Sequence, residues 1–156
     1  MLKATWETVQ DGLIAVLAEH LPARLAALGA PAIVAGLITP DGQVASTDDS
    51  ILIVYHNTAR GDRHSDWADS VLHFTLYLGR FHEDEMLARR ACANTEAAVV
   101  QVLTDHLDAA GVQEVQIGDS VPWSGKNEGT FLKVLELPIS CRVRVSRSVT
   151  GATPDV

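Results

Sequence analysis

An alternation of apolar and polar residues over residues 135–146 most constrains what this chain can fold into. Its apolar members are Leu135, Leu137, Ile139, Cys141, Val143 and Val145, each followed by a residue that is polar or, once, proline. A period of two predicts a strand, here from about residue 131 to 147, with one face in the core and the other in water. Pro138 cannot donate a ladder hydrogen bond, which predicts a bulge or an edge position.

Two further segments show the composition of long strands. In residues 70–81 the large apolar residues fall on one face, whereas His73, Thr75 and Tyr77 fall on the other. Residues 50–57 are rich in β-branched residues and apolar on both faces, which predicts a central strand.

Shorter strands are predicted over residues 33–38 and 112–119. Between the second of these and the last strand, residues 120–129 are expected to form a loop or hairpin connection with Trp123 near its tip.

Helical periodicity marks two segments. The apolar residues Trp6, Val9, Leu13, Val16, Leu17 and Leu21 share one face of an N-terminal helix. Pro22 is expected to end or bend that helix.

A second, longer helix is predicted over residues 84–111. Its first turn is acidic, which complements the helix dipole, and Gly111 suits its C-terminal cap. The inner stripe is expected to consist of Leu87, Ala91, Ala98, Val102 and either His106 or Leu107. At about 26 residues the helix would be ~39 Å long.

The order of these elements favours an α+β fold. Runs of strands flanked by helices predict a mainly antiparallel sheet with the N-terminal helix and the long helix packed on one face. A chain of 156 residues is most simply a single domain over residues 1–156, in which 148–156 is expected to be a flexible tail.

The charge balance disfavours several classes of function. A formal net charge of −8 gives no basic field for tight nucleic-acid binding, although it would suit a passage that DNA crosses without being held. Cys92 and Cys141 are too few for a disulfide framework, and both are expected to be buried. Neither a signal peptide nor a run of the ~20 apolar residues that a membrane helix needs is expected.

Candidate chemistry centres on histidine. The residues His56, His64, His73 and His82, with neighbouring carboxylates, leave open a metal site of a small metal-dependent or hydrolytic enzyme. No HxH, HxxxH or HExxH spacing supports such a site. Nucleophile-elbow and phosphate-loop motifs do not occur either, so no catalytic, cofactor or metal residue is assigned.

The polar surface offers candidates for a subunit or partner interface. Arg142 and Arg144 either face the carboxylates of a neighbouring subunit or belong to a solvated sheet face. Residues 57–69 read as a long exposed loop that contains Arg63 and Trp67. A tryptophan in a polar loop is either an interface anchor or a core plug, and this applies to both Trp67 and Trp123.

The element order resembles that of bacteriophage tail terminator proteins, also called tail completion proteins. The resemblance spans about residues 5–147 and rests on five features: the N-terminal helix, the strand pair with its polar loop, the strand ending in LYLGRFHEDE, the long helix, and the strand LELPISCRVRVSR. Since this family has no signature motif, none of its functional residues can be transferred to positions in this chain.

The resemblance implies a structural virion protein without enzymatic activity or cofactor. Such proteins form a homohexameric ring that caps the tail tube and joins it to the head-tail connector protein. The expected location is therefore the virion tail, after assembly in the host cytoplasm. Two alternatives remain open: the histidine-based enzyme, and a small dimeric binding module, which a deep apolar pocket would favour.

Overall fold

A computed structural model describes residues 5–40, 49–63, 67–106 and 111–146. Its elements follow in chain order: helix α1 (Thr5–Ala27), a 3-10 turn (Ala35–Leu37), strands β1 (Ile38–Thr39), β2 (Ser50–Arg63) and β3 (Trp67–His82), helix α2 (Glu85–Asp105), and strands β4 (Glu114–Ile117), β5 (Val121–Asn127) and β6 (Thr130–Ser146).

The strands form one six-stranded sheet in the order β1-β2-β3-β6-β4, and β5 also pairs with β6. Only β1 and β2 are parallel, and every other pair is antiparallel. β4 and β5 lie on the same margin of β6, opposite residues 139–142 and 130–136 of that strand. The predicted α+β fold with a mainly antiparallel sheet is confirmed.

The core lies between the two helices and one face of the sheet. The buried residues of α1 include Val9, Leu13, Val16, Leu17, Leu21 and Leu25. Those of the three long strands include Ile51, Ile53, Leu72, Phe74, Leu76, Leu78, Leu137, Ile139, Cys141 and Val143. The alternation in β3 and β6 therefore predicted the inner face of the sheet correctly.

Helix α2 begins as predicted and buries Ala98 and Val102 as predicted, but its first turns place other residues inside. The Asp84 carboxylate accepts hydrogen bonds from the backbone N–H groups of Met86 and Leu87, which caps the helix. The buried residues are Ala88, Cys92, Thr95, Ala98, Val99, Val102 and Leu103. Leu87, predicted to be inside, is 42% exposed. Small residues at 88, 92 and 95 let this half of the helix pack closely on the sheet.

Pro22 does not end α1, which continues to Ala27. Proline removes one backbone hydrogen bond and crowds the carbonyl of residue 18. Leu21 and Leu25, on either side of it, are both buried against the core. Packing against the core therefore keeps the chain helical at Pro22, although proline disfavours a helix interior. The predicted strand at 33–38 is likewise shorter, because a 3-10 turn precedes the two-residue β1.

Residues 57–69 were predicted to form a loop, but residues 57–63 lie in β2 and residues 67–69 lie in β3. Residues 64–66 lie outside the described ranges. β2 and β3 continue to pair beyond Thr58, through Arg60 opposite Ser70 and Arg63 opposite Ala68. β3 in turn pairs with β6 as far as Trp67 opposite Ser146. Backbone pairing needs no apolar side chains, so a polar composition did not prevent strand formation.

Two strands occupy positions other than those predicted. β2 was predicted to be central, but β1 covers only Ile51 and Leu52 of its outer edge. Along the rest of its length, β2 is the outermost described strand on that side of the sheet. β6 is interior and pairs with β3 without a register shift at Pro138. The Pro138 carbonyl accepts a hydrogen bond of 2.8 Å from Gly118 N, just past the end of β4, and the missing N–H of Pro138 leaves this residue pair with a single backbone bond. A Cβ on Gly118 would lie 2.9 Å from Pro138 Cγ, so this approach requires glycine.

Candidate functional site

The two arginines predicted at an interface lie beside carboxylates of their own chain. Arg142 Nη1 is 3.7 Å from Glu114 Oε2, and Arg144 Nε is 3.6 Å from Asp69 Oδ1. Both pairs join neighbouring strands at directly opposed positions. The Arg142–Glu114 pair is half-exposed on both sides, and exposed pairs of this kind add little stability. The contact with a neighbouring subunit remains a prediction.

The remaining interface candidates fall in strands. The structure describes the backbone of Arg63 at the end of β2 and of Trp67 at the start of β3. Trp123 lies in β5 opposite Val134 and is 44% exposed, so it is not at the hairpin tip. The tip is formed by Glu128 and Gly129, whose φ angles of 49° and 84° are typical of a tight two-residue turn.

The three described histidines of the candidate set have separate partners. His56 Nε2 lies 2.6 Å from Thr75 Oγ1, and His73 Nδ1 lies 2.9 Å from Ser140 Oγ. His82 Nδ1 accepts a hydrogen bond from the backbone N–H of Asp84. Nine residues of extended strand place His82 about 30 Å from His73, too far to share an ion. His64 lies outside the described residues, and within them no group of three or more potential ligands converges.

A cleft of about 400 Å³ opens between the N-terminal half of α2 and strand β5. We call it the α2–β5 cleft. It is lined by Arg89, Cys92, Ala93, Pro122, Trp123, Ser124, Lys133, Val134 and Leu135. The lining is mainly apolar with a few polar groups, which is the usual character of a small-molecule site.

Lys133 organises the charge in this cleft. It belongs to β6 and is only 9% exposed, which is unusual for a lysine. Its Nζ donates 2.9 Å hydrogen bonds to Glu85 Oε1 and Ser124 Oγ. Arg89 Nη2 lies 3.6 Å from the same Glu85 oxygen. The hydrogen bond from Lys133 lowers the pKa of Glu85 below its usual value, so this carboxylate stays charged at neutral pH.

Cys92 forms part of the cleft wall but is not an activated nucleophile. Its Sγ lies 3.4 Å from the Leu78 carbonyl oxygen. Burial raises the pKa of this thiol to about 11, and burial also raises the pKa of Cys141 to about 12. Both cysteines are buried, as predicted from the sequence.

We expect both thiols of the folded protein to resist alkylation at pH 8. A pKa two units above the ordinary value lowers the thiolate fraction of Cys92 about a hundredfold, and burial blocks access as well. Iodoacetamide labelling followed by mass spectrometry should show slow modification of native protein and rapid modification in concentrated urea. Equal rates under the two conditions would contradict the burial of these residues.

Sequence reasoning missed the buried Arg80, which is 1% exposed. Its guanidinium donates to Thr95 Oγ1 at 2.8 Å, Asp49 Oδ2 at 2.9 Å and the Pro31 carbonyl at 2.7 Å. Asp49 also accepts from Phe81 N. The available signal was the alternation of β3, since position 80 continues the inward series 72, 74, 76 and 78. Arg80 thus joins α2, β3 and the segments that precede β1 and β2.

Exposed large apolar residues lie around the N-terminal half of α2 and on the neighbouring strand β5. In the described ranges these are Leu28, Met86, Leu87, Val121 and Trp123, which we call the apolar end, and Val34 is exposed as well. Leu28 lies beside α2, because its carbonyl accepts a hydrogen bond from Asn94 Nδ2. β5 pairs with the first residues of β6, and these pair in turn with the last residues of β3, which directly precede α2.

A second cleft, of about 200 Å³, opens on the other side of α2. It is lined by Gly29, Ala30, Pro31, His82, Leu87, Arg90, Ala91 and Asn94. The ion pairs of Arg142 and Arg144 lie towards the other end of β6.

No family model matches the sequence, and a search of curated proteins finds no significant relative. Within the described ranges, no helix has both the length and the apolar character needed to cross a membrane.

Proposed function

We propose that this protein is a structural assembly subunit of the tail terminator kind, forming a ring that caps a tail tube and meets a head-tail connector. The observation that carries the proposal is the apolar end. Support also comes from the α+β fold with both helices on one sheet face, which fits the element order that resembles this family.

Apolar side chains concentrated at one end favour a protein contact. Single exposed apolar residues are ordinary on any surface, whereas a cluster rimmed by polar groups marks an interaction site. Met86 and Leu87 are exposed in the first turn of α2, and Leu87 lines the second cleft. A protein partner would bury these side chains.

The shape of the sheet suits a ring. Its two lateral margins, β1 with β2 and β4 with β5, lie on opposite sides. A contact between unlike margins of successive copies is heterologous, and such contacts close into rings when the rotation permits. The net charge of −8 would let DNA pass through the ring without being held.

The experiment is a comparison of assembly in two charge variants. We expect the wild-type protein to form rings by light scattering and negative-stain imaging, and to stop tube growth when added to tail tube protein. The double variant Leu87→Glu, Trp123→Glu should lose capping, because burying a carboxylate without a partner is costly.

The control is Ala59→Glu, which adds one such charge at an exposed position in β2, towards the opposite end of the sheet. It should cap as well as the wild type. A wild-type protein that stays monomeric at every concentration and leaves tubes uncapped would refute the proposal. Equal loss in both variants would show that the apolar end is not the contact.

A small-molecule binding module is the second candidate, and the observation that favours it is the α2–β5 cleft. The volume of the cleft and its mainly apolar lining are typical of small-molecule binding sites. Its occupant follows from its charge.

A further inference from the structure

We infer that the α2–β5 cleft binds a small amphipathic carboxylic acid, with an apolar or aromatic body and one anionic group. This inference does not depend on the proposed role in a ring. It rests on the volume of the cleft, on its apolar lining and on the two cations in its wall.

The apolar part of the site is formed by both walls. Cys92 and Ala93 contribute from α2, and Pro122, Trp123 and Leu135 contribute from the strands. About 400 Å³ falls within the range of 300–1,000 Å³ that small-molecule pockets occupy. A half-exposed tryptophan at the cleft supplies a rigid aromatic surface against which a planar or branched group can pack.

The charge of the lining selects an anion. Among the lining residues, Arg89 and Lys133 are cationic and none is a carboxylate. Glu85, which is not among the lining residues, contacts both and offsets one of the two charges. A net positive site in a chain of net charge −8 is a local reversal that complements a monoanion.

The donors for that anion are already positioned. An ammonium group has three N–H donors, and Glu85 and Ser124 use two of those on Lys133. The Arg89 guanidinium contacts Glu85 at 3.6 Å, which is an ion-pair distance rather than a hydrogen-bond distance. It therefore keeps its fork of donors for a carboxylate, and guanidinium–carboxylate pairs are the strong, geometrically specific ones.

The test uses a matched pair of probes on the full-length protein. Naphthalene-2-carboxylate has the aromatic body and the charge, whereas naphthalene-2-methanol has the same body without the charge. We expect calorimetry to give one site per chain for the carboxylate and binding at least about tenfold weaker for the alcohol. Amide shifts in a ¹⁵N-labelled sample should centre on Ala93 and on residues 123–124.

Three variants locate the site. Arg89→Gln, at an exposed helix position, should weaken carboxylate binding at least about tenfold and leave alcohol binding unchanged. Arg90→Gln is the matched control, since Arg90 lines the neighbouring cleft instead. Ala93→Phe should abolish binding of both probes by filling the cleft, and circular dichroism would verify that each variant is folded.

Several results would overturn the inference. Equal affinity for the two probes, or equal effects of the changes at positions 89 and 90, would mean that no anion site exists here. Binding that never saturates would have the same meaning. Saturable binding seen only in a Leu87→Glu variant that has lost assembly would show that a second copy covers the cleft, which makes the site an interface.

Discussion

Replacing Arg80 with methionine is expected to lower the free energy of unfolding by about 3–5 kcal/mol, the usual cost of removing one partner from a buried ion pair. Methionine would fill much of the same space without the charge. Asp49 would then keep its bond to Phe81 N but lose its cation, and Thr95 and the Pro31 carbonyl would lose a donor.

Urea unfolding followed by circular dichroism measures this loss. The control is Arg90→Met, the same chemical change at an exposed position of α2, which should alter stability by less than about 0.5 kcal/mol. In a double-mutant cycle with Asp49→Ala, the two losses should add to more than the loss in the combined variant. A loss below about 1 kcal/mol for Arg80→Met would mean that the network contributes no net stability.

The parts of the fold that were predictable from the sequence are those governed by periodicity. In β3 and β6 one face is covered by the two helices and the other is not, so the apolar residues of the alternating sequence are the buried ones. The same applies to α1, where Leu13, Leu17 and Leu21 recur at helical spacing. Local signals also sufficed for the start of α2, because its cap is made by adjacent residues.

The errors arose where distant residues decide the outcome. Residues 58–63 are polar and read as a loop, but their partner strand β3 is held on its other side by β6. In α2 the choice between Leu87 and Ala88 as the inner residue depends on how closely the helix approaches the sheet. Hydrophobicity alone favours the leucine, whereas close packing selects the alanine.

The candidate site could not be predicted for the same reason. Lys133 and Glu85 meet across 48 residues of sequence, and Arg80 meets Asp49 across 31. No short motif records such a pairing. A lysine inside an alternating strand is usually assigned to the wet face, but at position 133 it lies on the helix side with its charge met by α2. The only local signal is spacing: residue 133 is two and four residues before Leu135 and Leu137, so it lies on the same face of the strand as they do.

Replacing Phe74 with alanine is the second change expected to have a large effect, with a loss of about 3–5 kcal/mol in the free energy of unfolding. Phe74 is 1% exposed and lies at the centre of β3. Its ring packs at 59° against Tyr55, with centroids 5.7 Å apart, and Tyr55 stacks on Trp6 of α1 at 4.5 Å. Truncation would leave a cavity between sheet and helix and remove one member of this aromatic series.

Thermal and urea unfolding of Phe74→Ala should be compared with Tyr77→Ala, a truncation of similar size on the other face of the same strand. Tyr77 is only partly buried, so its loss should cost clearly less in dilute protein. Phe74→Leu keeps most of the volume and should fall between the wild type and Phe74→Ala. Equal losses at positions 74 and 77 in monomeric protein would contradict a sheet covered by helices on one face only. If the Tyr77→Ala loss instead grows with protein concentration, that face is buried between copies.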